Sequence, residues 1–444
     1  MAMRGIASAI PARRQQQSFG LSAIQTVLLT LLLGIGIPLL SFTVTVELFN
    51  TLLIFIAVTL FGLWLCHRTH VYLGDPKLKI LLTFWLLKVN ATLFLLYIGW
   101  IPQLDPSSVS WGYDPQRYFQ DAWTLIENGW NPSIGSNYQG IIFFYGAIFY
   151  LFGHNPVIPA LINTLVTLLG TLFLIRSVYS FMSDRKTKDW TIAGLLLVPE
   201  MLWYDVMTSR ETLMAVLIII SVLSVGRYFV GMRNVSLVKT LLLSGTALFA
   251  ILAVRTTMAV PVILSISLMV QLLKTKRTFS LLQKLLVFGI AIAGVSAGEF
   301  IQQITGGQQS FDYSQAIASG FTFETNVAAL NQWSDNSIGL LIAPNNAWES
   351  VLYLPLRMVL YLAAPLPNIV VSVNELISGS WGAWQSLMTI PTSFMMLLGL
   401  PFALAGASYS WRVRSYQPAP MALHITFWIT FMAVAGGTFS LEAS

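Results

Sequence analysis

The chain has 444 residues, of which 56% are hydrophobic and only 9% are charged, whereas soluble domains carry about a quarter charged residues. This composition excludes a soluble globular protein and predicts an all-α, polytopic transmembrane helix bundle. The single cysteine excludes a disulfide framework and a cysteine-based metal site. We ascribe the net charge of +6 to the basic cytoplasmic loops typical of membrane proteins, so no nucleic-acid partner is expected.

The hydrophobic segments divide the chain into four regions. Residues 1–19 are predicted to be a cytoplasmic tail, and 20–298 a transmembrane core that contains an outer loop, 102–138. Residues 299–385 are predicted to hold a second outer loop with interfacial segments, and 386–444 the C-terminal spans. A span needs about 20 apolar residues, and this criterion predicts about 11 spans: 20–41, 46–66, 80–101, 156–178, 190–205, 212–231, 238–255, 257–273, 281–298, 386–407 and 420–439.

The basic residues predict an orientation for these spans. With the N-terminus in the cytoplasm, nearly all basic residues fall in cytoplasmic loops, in agreement with the positive-inside rule. The shorter apolar segments 139–153 and 351–367 are then re-entrant or interfacial. We expect an integral membrane protein with the lipid bilayer as a partner, located in the bacterial inner (plasma) membrane. Lys88, deep in a span, either has a function there or reaches the cytoplasmic interface with its long stem.

A short amphipathic helix is predicted within the first outer loop. Asp114 precedes Pro115, which disfavours helical geometry at Asp114 and makes it a suitable N-cap with Pro115 at the first helical position. The helix is predicted to reach Gly129 and to lie on the membrane surface as an interfacial helix. Its predicted apolar face comprises Tyr118, Phe119, Ala122, Trp123 and Ile126, and its polar face Gln116, Arg117, Gln120, Asp121 and Glu127.

The predicted outer face combines carboxylates, a few arginines and many aromatic residues, a set that suits chemistry on a sugar. A carboxylate can take the proton from an acceptor hydroxyl, and arginines can bind a phosphate through paired hydrogen bonds. The candidate catalytic residue is Asp114. The candidate substrate-binding residues are Arg117, Tyr118, Asp121, Glu200, Asp205, Arg210, Glu211, Arg255 and Arg357.

Each candidate also has a simpler interpretation. Asp114 can act only as a helix cap, Asp121 can be a solvated residue, and Arg210 can form an ordinary salt bridge with Glu211. Arg357 can extend to the membrane interface from its apolar segment. No cysteine and histidine spacing typical of a metal site is present. The outer carboxylates are compatible with a divalent metal, but nothing in the sequence requires this or any other cofactor.

The pattern resembles the GT-C superfamily, multi-span glycosyltransferases that use polyprenyl- or dolichyl-phosphate sugars, including protein O-mannosyltransferases and lipid A aminoarabinose transferases. The resemblance covers about 105–231 and is carried by 114–118 with Ala122, by 142–153 followed by 156–174, and by Pro199 with 209–213. It implies that Asp114 is the general base, that a polyprenyl-phosphate-linked sugar is the donor, and that the acceptor is a glycan, a lipid or a protein. We expect the lipid carrier to lie along the apolar face of the amphipathic helix. The chain departs from the family in that its acidic loop follows the third span, and in that Pro115 follows Asp114 where many members have a second acidic residue.

Two other functions remain open at this point. O-antigen polymerases and ligases are similar in having many spans and a large late outer loop, and that resemblance implies that outer arginines bind a lipid pyrophosphate. Arg210, Arg255 and Arg357 would serve this role. A transporter or lipid flippase would instead depend on Lys88 and Asn90 within the membrane.

Overall fold

In a computed structural model of the chain, all regular elements of the described residues are helices. The structure describes residues 46–74, 80–104, 114–130, 139–179, 192, 194–229, 235–255, 258–259, 262–263, 265–267, 352, 373–378 and 381–413. The helices are α1 (Val46–Leu73), α2 (Ile80–Leu95), α3 (Asp114–Glu127), α4 (Gln139–Phe152), α5 (Val157–Val178), α6 (Pro199–Val206), α7 (Glu211–Phe229), α8 (Leu237–Val254), α9 (Val373–Ile377) and α10 (Trp381–Val413). A π-helical turn, Leu96–Trp100, and a 3-10 turn, Ile101–Leu104, continue α2.

Five of these helices are long and apolar enough to cross a membrane. They are Phe49–Leu73, Ile80–Leu104, Val157–Ser177, Glu211–Tyr228 and Leu237–Val254. Large apolar side chains such as Leu60 on α1 and Phe249 on α8 are exposed, as expected of helices that face lipid. The described chain is therefore an all-helical membrane protein, and five of the predicted spans are confirmed as apolar membrane-length helices.

The other predicted segments have different outcomes. Segment 139–153 forms the short apolar helix α4. Segment 386–407 lies within α10, where Leu397–Gly406 is an apolar stretch. Most of 257–273 and of 351–367, and all of 20–41, 281–298, 299–350 and 420–439, lie outside the described residues.

Tertiary contacts define two ends of the bundle. The side chain of Asn155, just before α5, donates a hydrogen bond to Thr51 near the start of α1. Arg176 near the end of α5 contacts Thr69 near the end of α1, so these two helices run in parallel. We call the end near the start of α7 the Asp114 end, and the other the Arg176 end.

The chain returns to the Asp114 end between α5 and α7, through the predicted span 190–205. The described part of that segment is not one continuous helix, because it breaks at Leu197 and Val198 and resumes at Pro199. Val198 has φ −56° and ψ 118°, a non-helical conformation, and the residue before a proline is disfavoured in the helical region. The break produces α6, a short helix that packs against α2, α5 and α10.

The packing of α1 against α2 depends on a glycine. Trp85 on α2 is fully buried, and its indole N–H donates to the Thr59 carbonyl at 3.0 Å. A Cβ atom at Gly62 would lie 2.2 Å from the Trp85 ring. The absence of a side chain at Gly62 therefore permits this close contact between the two helices.

Candidate functional site at the Asp114 end

Two tertiary hydrogen bonds hold the start of α3 in place. The buried Gln116 side chain donates to the Gln103 carbonyl at 2.9 Å, which connects α3 to the 3-10 turn that continues α2. The Thr208 hydroxyl donates to the Pro115 carbonyl. The helix includes Asp114, one residue earlier than the predicted start at Pro115. Gln116 is fully buried and does not belong to a solvated polar face.

The apolar face of α3 packs against protein. Tyr118, Phe119 and Ala122 are buried with Leu125, and Phe119 makes an edge contact with Phe149 of α4. Trp123 and Ile126 on the same face are only partly buried, and the position of a lipid carrier stays a prediction. Sequence periodicity shows that a face is apolar, but it does not distinguish burial against lipid from burial against another helix.

A histidine completes this contact. His154 stacks between Phe119 and Trp123, with ring centroids 4.4 Å from each. Burial lowers the pKa of His154, while the nearby charge of Glu127 acts in the opposite direction. The neutral ring thus behaves as part of the aromatic packing between α3 and the start of α5.

The centre of the site is the Asp114 carboxylate. Its Oδ2 accepts a hydrogen bond from the Tyr118 hydroxyl at 3.1 Å and lies 3.5 Å from Arg210 Nη2. The Asp114 side chain is 47% exposed, whereas that of Arg210 is only 10% exposed. Arg210 Nε also contacts Glu211 at 3.4 Å, so one buried guanidinium lies between two carboxylates.

Arg210 belongs to a buried, non-helical loop, Met207–Arg210, between α6 and α7. The Asn163 amide donates to the Met207 carbonyl at 2.9 Å, and the Tyr145 hydroxyl donates to the Ser209 carbonyl at 2.8 Å. Asn163 and Tyr145 also bond to each other, at 3.0 Å. Irregular backbone away from water is tolerated only where such partners satisfy its polar groups. Side chains of α4 and α5 therefore determine the position of the loop.

Beneath this loop lies a buried ion pair. Lys88 Nζ is 2.6 Å from Asp205 Oδ2, and both side chains are fully buried. Thr167 and Thr212 donate hydrogen bonds to the other oxygen of Asp205. Asp205 therefore does not lie in an open outer turn. Lys88 does not extend to an interface but joins α2 to α5, α6 and α7 through this carboxylate.

Glu200, in the first turn of α6, is partly buried near the site. Burial raises the pKa of its carboxyl, and the negative charge of Glu211 raises it further. The acidic residues at this end of the bundle thus differ in environment. Asp114 is held by Arg210, whereas Glu200 is destabilised in its charged form.

The remaining candidates are not brought into direct contact with Asp114 by the described contacts. Arg117 and Asp121 pair with each other at 3.4 Å along α3. Burial raises the pKa of Asp121, although the Arg117 charge opposes this. Arg255 is partly buried directly after α8, and Arg357 lies outside the described residues. Within the described residues, no group of three or more histidine, cysteine, aspartate or glutamate side chains is arranged to hold a metal ion.

Sequence reasoning missed the neutral residues that support the site, namely Tyr145, Asn163, Thr167, Thr208 and Thr212. It also treated Lys88 and Asp205 as separate candidates, although a lysine deep in a span requires a partner. The few carboxylates near span ends were the available signal for that partner. Comparison of the chain with protein-family models, with curated proteins and with solved structures gave no match.

Proposed function

We propose that the chain is an integral-membrane glycosyltransferase that transfers a sugar from a polyprenyl-phosphate donor to an acceptor hydroxyl. The observation that supports this proposal is the environment of Asp114. Among the described residues, Tyr118 and Arg210 both contact Asp114 through its Oδ2. The side chain is 47% exposed, and in this proposal Oδ1 takes the proton of the substrate hydroxyl while the contacts at Oδ2 hold the carboxylate in place.

In the proposed step, the acceptor oxygen attacks the anomeric carbon of the sugar and its proton passes to Asp114. The bond between the anomeric carbon and the phosphate oxygen breaks, and the phosphate leaves with the electron pair. Attack on the face opposite the phosphate gives inversion at the anomeric carbon. A positioned base of this kind typically contributes about 10²–10⁴-fold to the rate.

Arg210 supplies the positive charge that such a reaction needs. The guanidinium lies beside Asp114 on a loop whose carbonyls are satisfied by Tyr145 and Asn163. A fixed, desolvated cation stabilises developing phosphate charge more effectively than a mobile one in water. In this proposal Glu211 holds the guanidinium, and Arg255, from the same end of the bundle, contributes to binding the donor phosphate.

We also propose that the Asp114 end faces away from the cytoplasm of a bacterial inner membrane, in a protein of about 11 spans with a cytoplasmic N-terminus. The charge distribution supports this orientation. The opposite end carries Arg68, Arg176, Arg227 and Lys239, near the ends of their helices.

The test uses membranes that contain the full chain and are supplied with a panel of polyprenyl-phosphate sugars. Mass spectrometry measures the released polyprenyl phosphate, a product common to every sugar, together with the new glycoside. We expect Asp114→Asn to lower release by about 10²–10⁴-fold. Glu127→Gln, at an exposed position on the same helix, is the matched control and should retain activity. Full activity in Asp114→Asn would exclude the base assignment.

The buried guanidinium of Arg210 favours one alternative, a glycan polymerase or ligase that uses a lipid pyrophosphate. That enzyme would release polyprenyl pyrophosphate instead of the monophosphate. Arg210→Gln would then be inactive while Asp114→Asn stayed active. The number of phosphates on the released lipid therefore separates the two candidates without knowledge of the sugar.

A further inference from the structure

The Arg176 end of the bundle carries a cluster of arginines from three helices. Arg68 lies on α1, Arg176 on α5 and Arg227 on α7, and α5 packs against both of the other helices. Arg176 binds Thr69, the neighbour of Arg68 on α1, and Arg227 lies over Phe173, about one turn before Arg176 on α5, so the three arginines lie in the same region of the bundle. Arg227 is about 24 Å of helical rise from Glu211, on the same helix, and the cluster is thus separate from the site at Asp114.

Neutral groups hold the cluster together. Arg176 donates to the Thr69 hydroxyl through Nε at 3.1 Å and Nη2 at 2.8 Å, and its Cζ lies 5.3 Å from the centre of the Tyr72 ring. Arg227 Cζ lies 4.9 Å above Phe173. These contacts orient the guanidinium groups but contribute no negative charge.

No carboxylate among the described residues pairs with Arg68, Arg176 or Arg227. The Nε atom of Arg227 is buried and has no hydrogen-bond partner among the described residues. The last turn of a helix favours a cation, which accounts for Arg176 and Arg227 separately. The helix ends do not account for the presence of two further arginines near the buried Arg227 Nε, which lacks an acceptor among the described residues. An anion would stabilise such an arrangement.

The surroundings indicate which anion fits. Trp64, Val71 and Tyr72 are about half exposed on the lipid-facing side of α1, and Arg68 lies 5.5 Å from the Trp64 ring. Exposed aromatic residues near a span end are typical of the headgroup region of a bilayer. Further along α1, Leu60, Phe61 and Leu53 are exposed and offer an apolar surface for acyl chains.

We propose that Arg68, Arg176 and Arg227 bind the phosphodiester of an anionic phospholipid in the leaflet at this end. Guanidinium groups suit phosphate because they donate paired hydrogen bonds in a fixed plane. Basic pockets between membrane helices bind such headgroups in general. The lipid stabilises the contacts among α1, α5 and α7, and this role is independent of the proposed transferase activity.

The test measures the thermal stability of the full chain in phosphatidylcholine nanodiscs that contain increasing phosphatidylglycerol. A ligand that binds only the folded state raises the melting temperature, and we expect phosphatidylglycerol to do so. Arg176→Gln and Arg227→Gln should each require about tenfold more phosphatidylglycerol for the same rise, since each removes charge-assisted hydrogen bonds. Native mass spectrometry of the same variants should show fewer retained phosphatidylglycerol molecules.

Lys239→Gln is the matched control, because it removes the same charge at the same end from an exposed position on α8. Arg176→Lys keeps the charge and separates loss of binding from loss of folding. An equal effect of Lys239→Gln would show diffuse surface attraction and overturn the site. A wild-type protein indifferent to phosphatidylglycerol, or one stabilised equally by inorganic phosphate in pure phosphatidylcholine, would also overturn it.

Discussion

Lys88 and Asp205 form an ion pair of 2.6 Å in which neither side chain is exposed, although 117 positions separate them in the chain. Two threonine hydroxyls from α5 and α7 complete the environment of the carboxylate. The pair therefore joins four helices directly below the loop that carries Arg210. Removal of the ion pair should therefore lower the stability of the protein and change the geometry of the site.

We predict that Lys88→Met destabilises the protein by roughly 3–5 kcal/mol, because the change leaves a buried carboxylate without its cation. Asp205→Asn should also be destabilising, since it leaves the ammonium uncompensated. The double variant should be more stable than either single variant. Thermal melting of the solubilised protein measures all three, with the exposed Lys239→Met as control. Simple additivity of the two losses would contradict a coupled pair.

A second prediction concerns the hydroxyl of Tyr145. Tyr145→Phe removes the donor to the Ser209 carbonyl and the acceptor for Asn163, so we expect a loss of about 1–3 kcal/mol. The loop should shift, and any transferase activity should fall with it. Tyr150→Phe is the control, because Tyr150 is 66% exposed on the same helix. Equal melting temperatures of the two variants would show that the Tyr145 hydrogen bonds do not contribute to stability.

The contact between Gly62 and Trp85 gives a third prediction. Gly62→Ala places a methyl group 2.2 Å from an indole that is buried and bonded to Thr59, so we expect a loss of about 1–3 kcal/mol from overpacking. Gly245→Ala meets nothing within 4 Å and should be neutral or stabilising by up to about 1 kcal/mol. Melting temperatures of the two variants test this, and a reversed order would show that α1 and α2 do not pack so closely.

A fourth prediction concerns pH and Glu200. Because burial and the Glu211 charge raise the pKa of Glu200 above its ordinary 4.5, the folded state holds the proton at pH values where the unfolded state has lost it. The contribution of Glu200 to the free energy of unfolding is therefore fully present below pH 4.5. This contribution is lost as the pH rises through the folded-state pKa. Glu200→Gln should therefore gain stability relative to wild type as pH rises from 4.5. Melting curves at a series of pH values measure this difference, and a constant difference would contradict the raised pKa.

Hydropathy was sufficient to predict the five confirmed membrane-length helices, because a span of about 20 apolar residues is a local property of the chain. The proline signal predicted the start of α3 to within one residue, since the preference of residues around a proline is also local. Hydropathy did not predict the pairing of Lys88 with Asp205, because no local pattern connects residues on separate helices. The predicted span 190–205 also missed the break at Leu197 and Val198. The break before Pro199 is stabilised by contacts of α6 with α2, α5 and α10.

The site itself was predicted in part. Asp114, Tyr118, Arg210 and Glu211 were candidates from the sequence, and the fold brings them together. Gln116 and Asp205 were assigned to polar, accessible positions and are fully buried. Polar residues in an apolar chain can be buried with a partner or exposed to water, and only tertiary contacts decide between these outcomes.

The hydrogen bonds that hold Met207–Arg210 have a consequence for the evolution of this protein. Tyr145 and Asn163 bond to each other and to two backbone carbonyls of the loop, so replacement of one residue leaves the other without its side-chain partner. Selection should therefore act on positions 145 and 163 as a pair. In relatives too distant to align by overall similarity, correlated substitution at these positions would mark shared descent, while the lipid-facing residues of α1 and α8 vary freely among apolar types.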